Sequence, residues 1–302
     1  MHIHRHSSRL TFRKRTRRGC VPFVILIGLI VGFGAMSWTW LEHWFSRGLP
    51  GLVTADMARA EAAFASGDLN TAIELARAVL ADEPDNAAAL ILLGRSLIYR
   101  SYVDYDREPD RQQALVVAEQ GVLTFPGNRD VIALQALALH VNGESPRASR
   151  MALRVIERER DNVPARVALA LAYGGQGLFD AALRESRRAV ELATETQSVW
   201  LADAYRALAI AYSDLGQYEQ AAGAVEDAMT HHRPLIPLYF ERALYALQVS
   251  DKNAATVAYF QILAFDPNNV KARYRLCELS SNLRETEAAL SYCGEVTQMA
   301  PG

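Results

Sequence analysis

Few residues of this chain are of types and at spacings that support chemistry. His2, His4 and His6 alternate near the N-terminus, but three imidazoles on a lone tail without further ligands make a weak metal site. Asp104, Asp106 and Asp110 fall in the segment Tyr99–Asp110, where Tyr99, Tyr102 and Tyr105 interleave with acids. Their carboxylates suit Ca²⁺, yet the glycine and distal glutamate of a calcium loop are missing, so the segment reads as an extended helix end and a solvated loop. His231 and His232 precede Pro234 at a helix end, where the helix dipole favours cations, and read as capping groups. Nucleophile elbows, zinc-protease helices and phosphate loops are absent from the sequence. Three cysteines in 302 residues exclude a disulfide scaffold and a multi-cysteine metal cluster. No catalytic residue, metal or cofactor is therefore expected, and the protein is not expected to be an enzyme.

The elements that would carry any function divide at the charge boundary. Up to Phe45 there are seven basic residues and one acidic, against 25 basic and 33 acidic beyond it. An acidic body lacks the clustered cations that displace phosphate counterions, so no nucleic acid partner is expected. Residues 1–18 form a basic tail, and residues 19–41 run for 23 positions without a charge. As a helix this stretch would reach roughly 34 Å, enough to cross a bilayer core. The arginines before it and Trp38, Trp40, Trp44 and Phe45 after it predict a single-pass membrane anchor with a cytoplasmic N-terminus, a linker at 42–52 and an extracytoplasmic body. The competing expectation is a cleaved signal peptide ending at the small residues Ala35 and Ser37. Gly28 and Gly32 form a G-x-x-x-G face suited to close packing of two spanning helices, hence to a homodimer. Only three of the 32 basic residues are lysines, which suggests a GC-rich and therefore bacterial genome.

Beyond the linker the chain repeats itself. Ala72, Ala114, Ala148, Ala182, Ala221, Ala255 and Ala289 recur at 34 residues, with insertions of eight and five residues in the first and fourth intervals. Gly67, Gly143, Gly177 and Gly216 each stand two residues before a helix start, where a left-handed backbone ends the preceding helix. Alanine supplies 48 residues, favouring helices that approach closely.

These residues resemble the tetratricopeptide repeat, a helix-turn-helix unit of 34 residues. Ala170, Tyr173, Gly177, Phe179, Ala182 and Ala189 carry the resemblance in one copy, and Ala209, Tyr212, Gly216, Tyr218, Ala221 and Ala228 in the next. Two copies depart from it, with Gln135 at an apolar position and Ser250 in place of glycine. The resemblance implies an all-α fold, a right-handed α-solenoid of about seven repeats over residues 53–302, starting near Val53, Ala87, Arg129, Val163, Ala202, Ile236 and Val270. It also implies an inner groove lined by the first helix of each unit. Carried over by position, the groove would present Ile91, Arg95, Ile98, Val167, Leu171, Arg206, Phe240, Leu244, Leu247 and Tyr274. Most are apolar, so a hydrophobic or amphipathic peptide is the expected protein ligand, unless the superhelix curls enough to bury these groups itself. Lys271 and Arg275 match part of the carboxylate clamp of one family branch, but Ile210 and Glu241 stand where it has asparagines. By the same resemblance Cys277 and Cys293 face the contact between the last two helices, as a disulfide or as two buried thiols. The function expected is a membrane-anchored scaffold for protein interactions, with a self-associating envelope spacer as the alternative.

Overall fold

The computed structural model describes residues 50–105 and 107–299. The basic tail, the 19–41 stretch and Gly28 and Gly32 lie outside the described residues, among which no helix is long and apolar enough to cross a membrane. Fourteen helices and no strand are present among the described residues. In chain order they are α1 (Pro50–Ala65), α2 (Leu69–Asp82), α3 (Ala87–Arg100), α4 (Glu108–Thr124), α5 (Arg129–Val141), α6 (Ser145–Arg158) and α7 (Val163–Gly174). There follow α8 (Phe179–Glu195), α9 (Leu201–Asp214), α10 (Tyr218–His231), α11 (Ile236–Gln248), α12 (Lys252–Phe265), α13 (Val270–Asn282) and α14 (Thr286–Met299). They form seven consecutive pairs, a helical solenoid.

Side-chain caps set many of the helix starts. Asn86, Asn128, Asn162 and Asn269 precede α3, α5, α7 and α13, and each carboxamide oxygen accepts a backbone N–H bond from the first turn. Asp68 and Asp251 do the same for α2 and α12. Between the helices of a pair the chain turns through one residue at positive φ: Gly67, Gly143, Gly177, Gly216, Ser250 and Arg284. Ser250 and Arg284 thus hold the conformation that glycine supplies in other pairs, at some backbone strain. Within the pairs Ala72, Ala114, Ala148, Ala182, Ala221 and Ala255 are completely buried, because only a methyl group fits where the two backbones cross.

The seven pairs do not extend as an open spiral. The first helices α3, α5, α7 and α9 pack in succession, and the first pair, α1 and α2, lies against the junction of the fifth and sixth pairs. Ala60, Phe64, Leu69 and Ala72 of the first pair share one hydrophobic cluster with Met229, Leu235, Leu238 and Tyr239, while another runs from Ile73 and Ala76 through the intervening pairs. Phe64 meets the His232 ring edge-on at 5.0 Å between centroids. The insertion after α3 reaches α13: Asn269 Nδ2 donates to the Val103 carbonyl at 3.0 Å, and the Val270 and Lys271 amides donate to the Asp104 carboxylate at 3.2 and 3.1 Å. The segment read from sequence as a solvated loop is therefore a brace between distant repeats, and its acid caps a helix that begins 166 residues later.

Gly67 lies in this seam. At φ 79° a Cβ on it would stand 2.5 Å from the Pro234 carbonyl oxygen, whereas Gly143, at φ 84°, has open space around the same position. Gly143→Ala should cost roughly 1–2 kcal/mol for the left-handed backbone alone. Gly67→Ala should add an overpacking cost of about 1–3 kcal/mol. Urea unfolding of the two variants measures the difference; equal losses would mean that the seam is not closed.

Candidate functional site

Closure fills the inside of the turn with side chains of the first helices. Arg95 of α3 is buried; its guanidinium lies 4.1 Å from the Trp200 ring centroid and 4.8 Å from that of Phe64, and donates to Asp203 Oδ2 at 2.5 Å. The second Asp203 oxygen accepts from the Tyr99 hydroxyl at 2.8 Å. Burial, followed by the Asp203 charge, pushes the Tyr99 phenol well above its usual value, so it remains a donor. One layer further, Arg206 of α9 donates to Glu241 Oε1 through Nε at 2.7 Å and lies 4.8 Å from the Tyr102 ring centroid. Burial works against the Arg206 charge, but Glu241 together with Tyr102 and Tyr99 more than offsets it and holds the guanidinium protonated. Burial likewise raises the Glu241 carboxyl, with Arg206 opposing.

The effect on the expected groove is specific. Arg95, Ile98, Val167, Leu171 and Arg206 line a residual void of about 20 Å³, closed by the protein's own residues. All five are buried. Ile91 borders a hollow of about 390 Å³ beside Met57, Phe64 and the exposed Val199. Tyr274 stands on the surface, its ring edge-on to Tyr105 at 6.1 Å. Phe240, Leu244 and Leu247 are brought together on one wall of an open groove of about 720 Å³ between α11 and α13. This groove lies in the last repeats, where the turn no longer fills itself.

Its construction follows from the elements around it. α11 supplies the apolar wall, including Leu244, which is 48% exposed; Tyr259 of α12 and Leu279 of α13 continue it, and Tyr102 of the brace closes one end. Lys252 and Lys271, the only lysines after residue 14, both line it. Lys271 Nζ donates to the Tyr102 carbonyl at 3.0 Å and sits 4.3 Å from the Phe240 ring centroid. Burial lowers its amine, and Arg275 lowers it further. Arg275 is paired with Glu278 at 2.6 Å, but among the described residues neither lysine has a carboxylate within 4.0 Å. Glu241, at a position where the clamp-bearing branch carries asparagine, also lines the groove, with Oε1 paired to Arg206.

Sequence reasoning singled out Tyr102 in the inserted segment but did not place it at the groove, because the insertion has no counterpart in the repeat. It also missed the brace, whose partners lie far along the chain. Cys277 and Cys293 are joined across α13 and α14, with Cα atoms 5.1 Å apart. No metal-competent cluster of His, Cys, Asp and Glu occurs among the described residues.

The family match falls on the fourth and fifth pairs. Residues 164–233 match the tetratricopeptide repeat family. Among solved structures, human IFIT1, solved as a dimer with m7Gppp-AAAA, superposes with a TM-score of 0.63 at 12% identity, covering 82% of this chain and 59% of its own. The thermophilic TPR protein TTC0263 of Thermus thermophilus gives 0.52 at 17% identity, covering 65% of this chain and 98% of its own. The Pseudomonas aeruginosa protein pilF gives 0.50 at 16%, covering 72% and 92%. At these identities the likeness is one of fold: a TPR-like solenoid, an architecture suited to protein interaction. No curated protein matches the sequence.

Proposed function

We propose that this protein is a membrane-anchored, non-catalytic scaffold that docks a protein segment in the groove between α11 and α13. The observation that carries the reading is the pairing of an exposed apolar wall with two lysines that lack carboxylate partners among the described residues. A partly desolvated ammonium beside apolar surface gains from an incoming anion. The ligand is accordingly an amphipathic peptide, with apolar side chains against Phe240, Leu244 and Leu247 and an acidic residue directed at Lys271. The interior repeats have spent their equivalent positions on closure, so they serve as a rigid frame.

A displayed library of random peptides panned on the full-length protein tests this reading. Selected sequences should combine apolar residues with an acid and lose about tenfold or more in affinity to Leu244→Asp, the scale of one anchor removed from an interface. Selection of nothing, or of peptides indifferent to that substitution, would contradict it.

The anchor and its orientation belong to the same proposal. They are supported by the uncharged stretch 19–41 and the arginines that precede it. Protease added to intact spheroplasts should remove a C-terminal epitope while a cytoplasmic control survives. Protection of the epitope would place the body on the other side.

A further inference from the structure

The last helix pair is held differently from the rest. α10 buries five residues against its neighbours, whereas α14 buries one, Ala289. Leu290 of α14 is 70% exposed. What ties this helix down is polar, marginal or covalent. Arg273 Nε of α13 donates to Glu295 Oε2 at 2.7 Å, the Phe260 and Tyr292 rings meet edge-on at 6.2 Å, and Cys277 is bonded to Cys293. With so little apolar area removed from water, the covalent link carries an unusual share of the attachment.

The bond is also reachable. Neither cysteine is in the core, and Cys293 borders an open surface hollow of about 270 Å³ shared with Ser281, Arg284, Thr286 and Leu290. The hollow admits an attacking thiolate, and Arg284, which lines it, adds a positive charge that favours an anionic sulfur nearby. Structural disulfides are normally shielded; a half-buried one that borders a surface hollow is chemically addressable.

We infer that Cys277–Cys293 is a thiol–disulfide exchange site, entered by a dithiol reductant at Cys293, whose reduction releases α14 from the end of the solenoid. The reductant's thiolate attacks Cys293 Sγ and forms a mixed disulfide, while the Cys277 sulfur leaves with the bonding pair and takes a proton. The second thiol of the reductant then attacks its own sulfur in the mixed disulfide and expels Cys293, which is protonated in turn. One disulfide is reduced and one dithiol oxidised, with no other co-reactant. Release of α14 uncovers the side of α13 opposite the groove, so the exchange regulates the end of the molecule on which Lys271 and Arg275 are carried. The inference does not depend on what the groove binds.

The test uses the full-length, air-equilibrated protein, with dithiothreitol as reductant and a thioredoxin whose resolving cysteine is replaced by serine as the trapping probe. The trapped mixed disulfide should map to Cys293. On reduction, hydrogen exchange over residues 286–299 should accelerate by roughly a hundredfold, the scale set by opening a short disulfide loop, while α1–α12 remain unchanged. The double variant Cys277→Ser/Cys293→Ser should show the fast exchange without reductant. Absence of the bond in the unreduced protein would overturn the inference. So would trapping at Cys277, reduction only after unfolding in urea, or unchanged exchange in α14.

Discussion

A guanidinium cannot be left in a protein interior without a counter-charge, and Arg95 is buried. Its partners are supplied by a helix that lies more than a hundred residues further on, since Asp203 accepts from it and Trp200 covers it. Phe64 of the first pair covers it as well. The Arg95–Asp203 pair forms only when the second repeat and the fifth are in contact, and Phe64 brings in the first. Breaking such a buried pair by removing one partner typically costs about 3–5 kcal/mol, a large fraction of ordinary domain stability. Closure of the solenoid brings these partners together, and Arg206 with Glu241 repeats the device one layer along.

Closure redistributes what the first helices can do. Positions that in an open superhelix would face a ligand are used in repeats two to five to plug the turn, down to a void of about 20 Å³. The last repeats lie past the plugged region and keep an open face. The brace from the insertion then serves two purposes, capping α13 through Asp104 and walling the groove with Tyr102. The plugged turn and the open groove thus fall to different repeats of one array, although the helix pairs are built on the same local pattern.

That local pattern is what made the fold legible in sequence. Ala72 through Ala255 mark the helix crossings, and Gly67, Gly143, Gly177 and Gly216 mark the turns, because each position is set first by the geometry of its own pair. The left-handed Ser250 and Arg284 show the limit of the glycine signal: the turn is imposed by the helices it joins, and a non-glycine residue is held there under strain. Of the groove residues, Phe240, Leu244 and Leu247 line an open groove, while Arg95 and Arg206 look identical in sequence to ligand-facing groups and are consumed inside. Nothing within a repeat distinguishes the two cases. The difference depends on curvature accumulated over several units and on contacts such as Asn269 to Val103, separated by 166 residues. The asparagine caps before α3, α5, α7 and α13 were available in the sequence and reinforce the helix starts independently of the alanine period.

The claim that the array closes on itself is tested most directly at the start of α13. Backbone amides in the first turn of a helix have no partner within the helix and exchange readily with solvent. Here the Val270 and Lys271 amides are bonded to Asp104. Residue-resolved hydrogen exchange on the full-length protein and on Asp104→Ala reads this contact. If the array is closed, both amides are protected in the native chain and lose that protection when the carboxylate is removed. If both exchange freely in the native chain, or if the substitution leaves them unchanged, the array is open and the account fails.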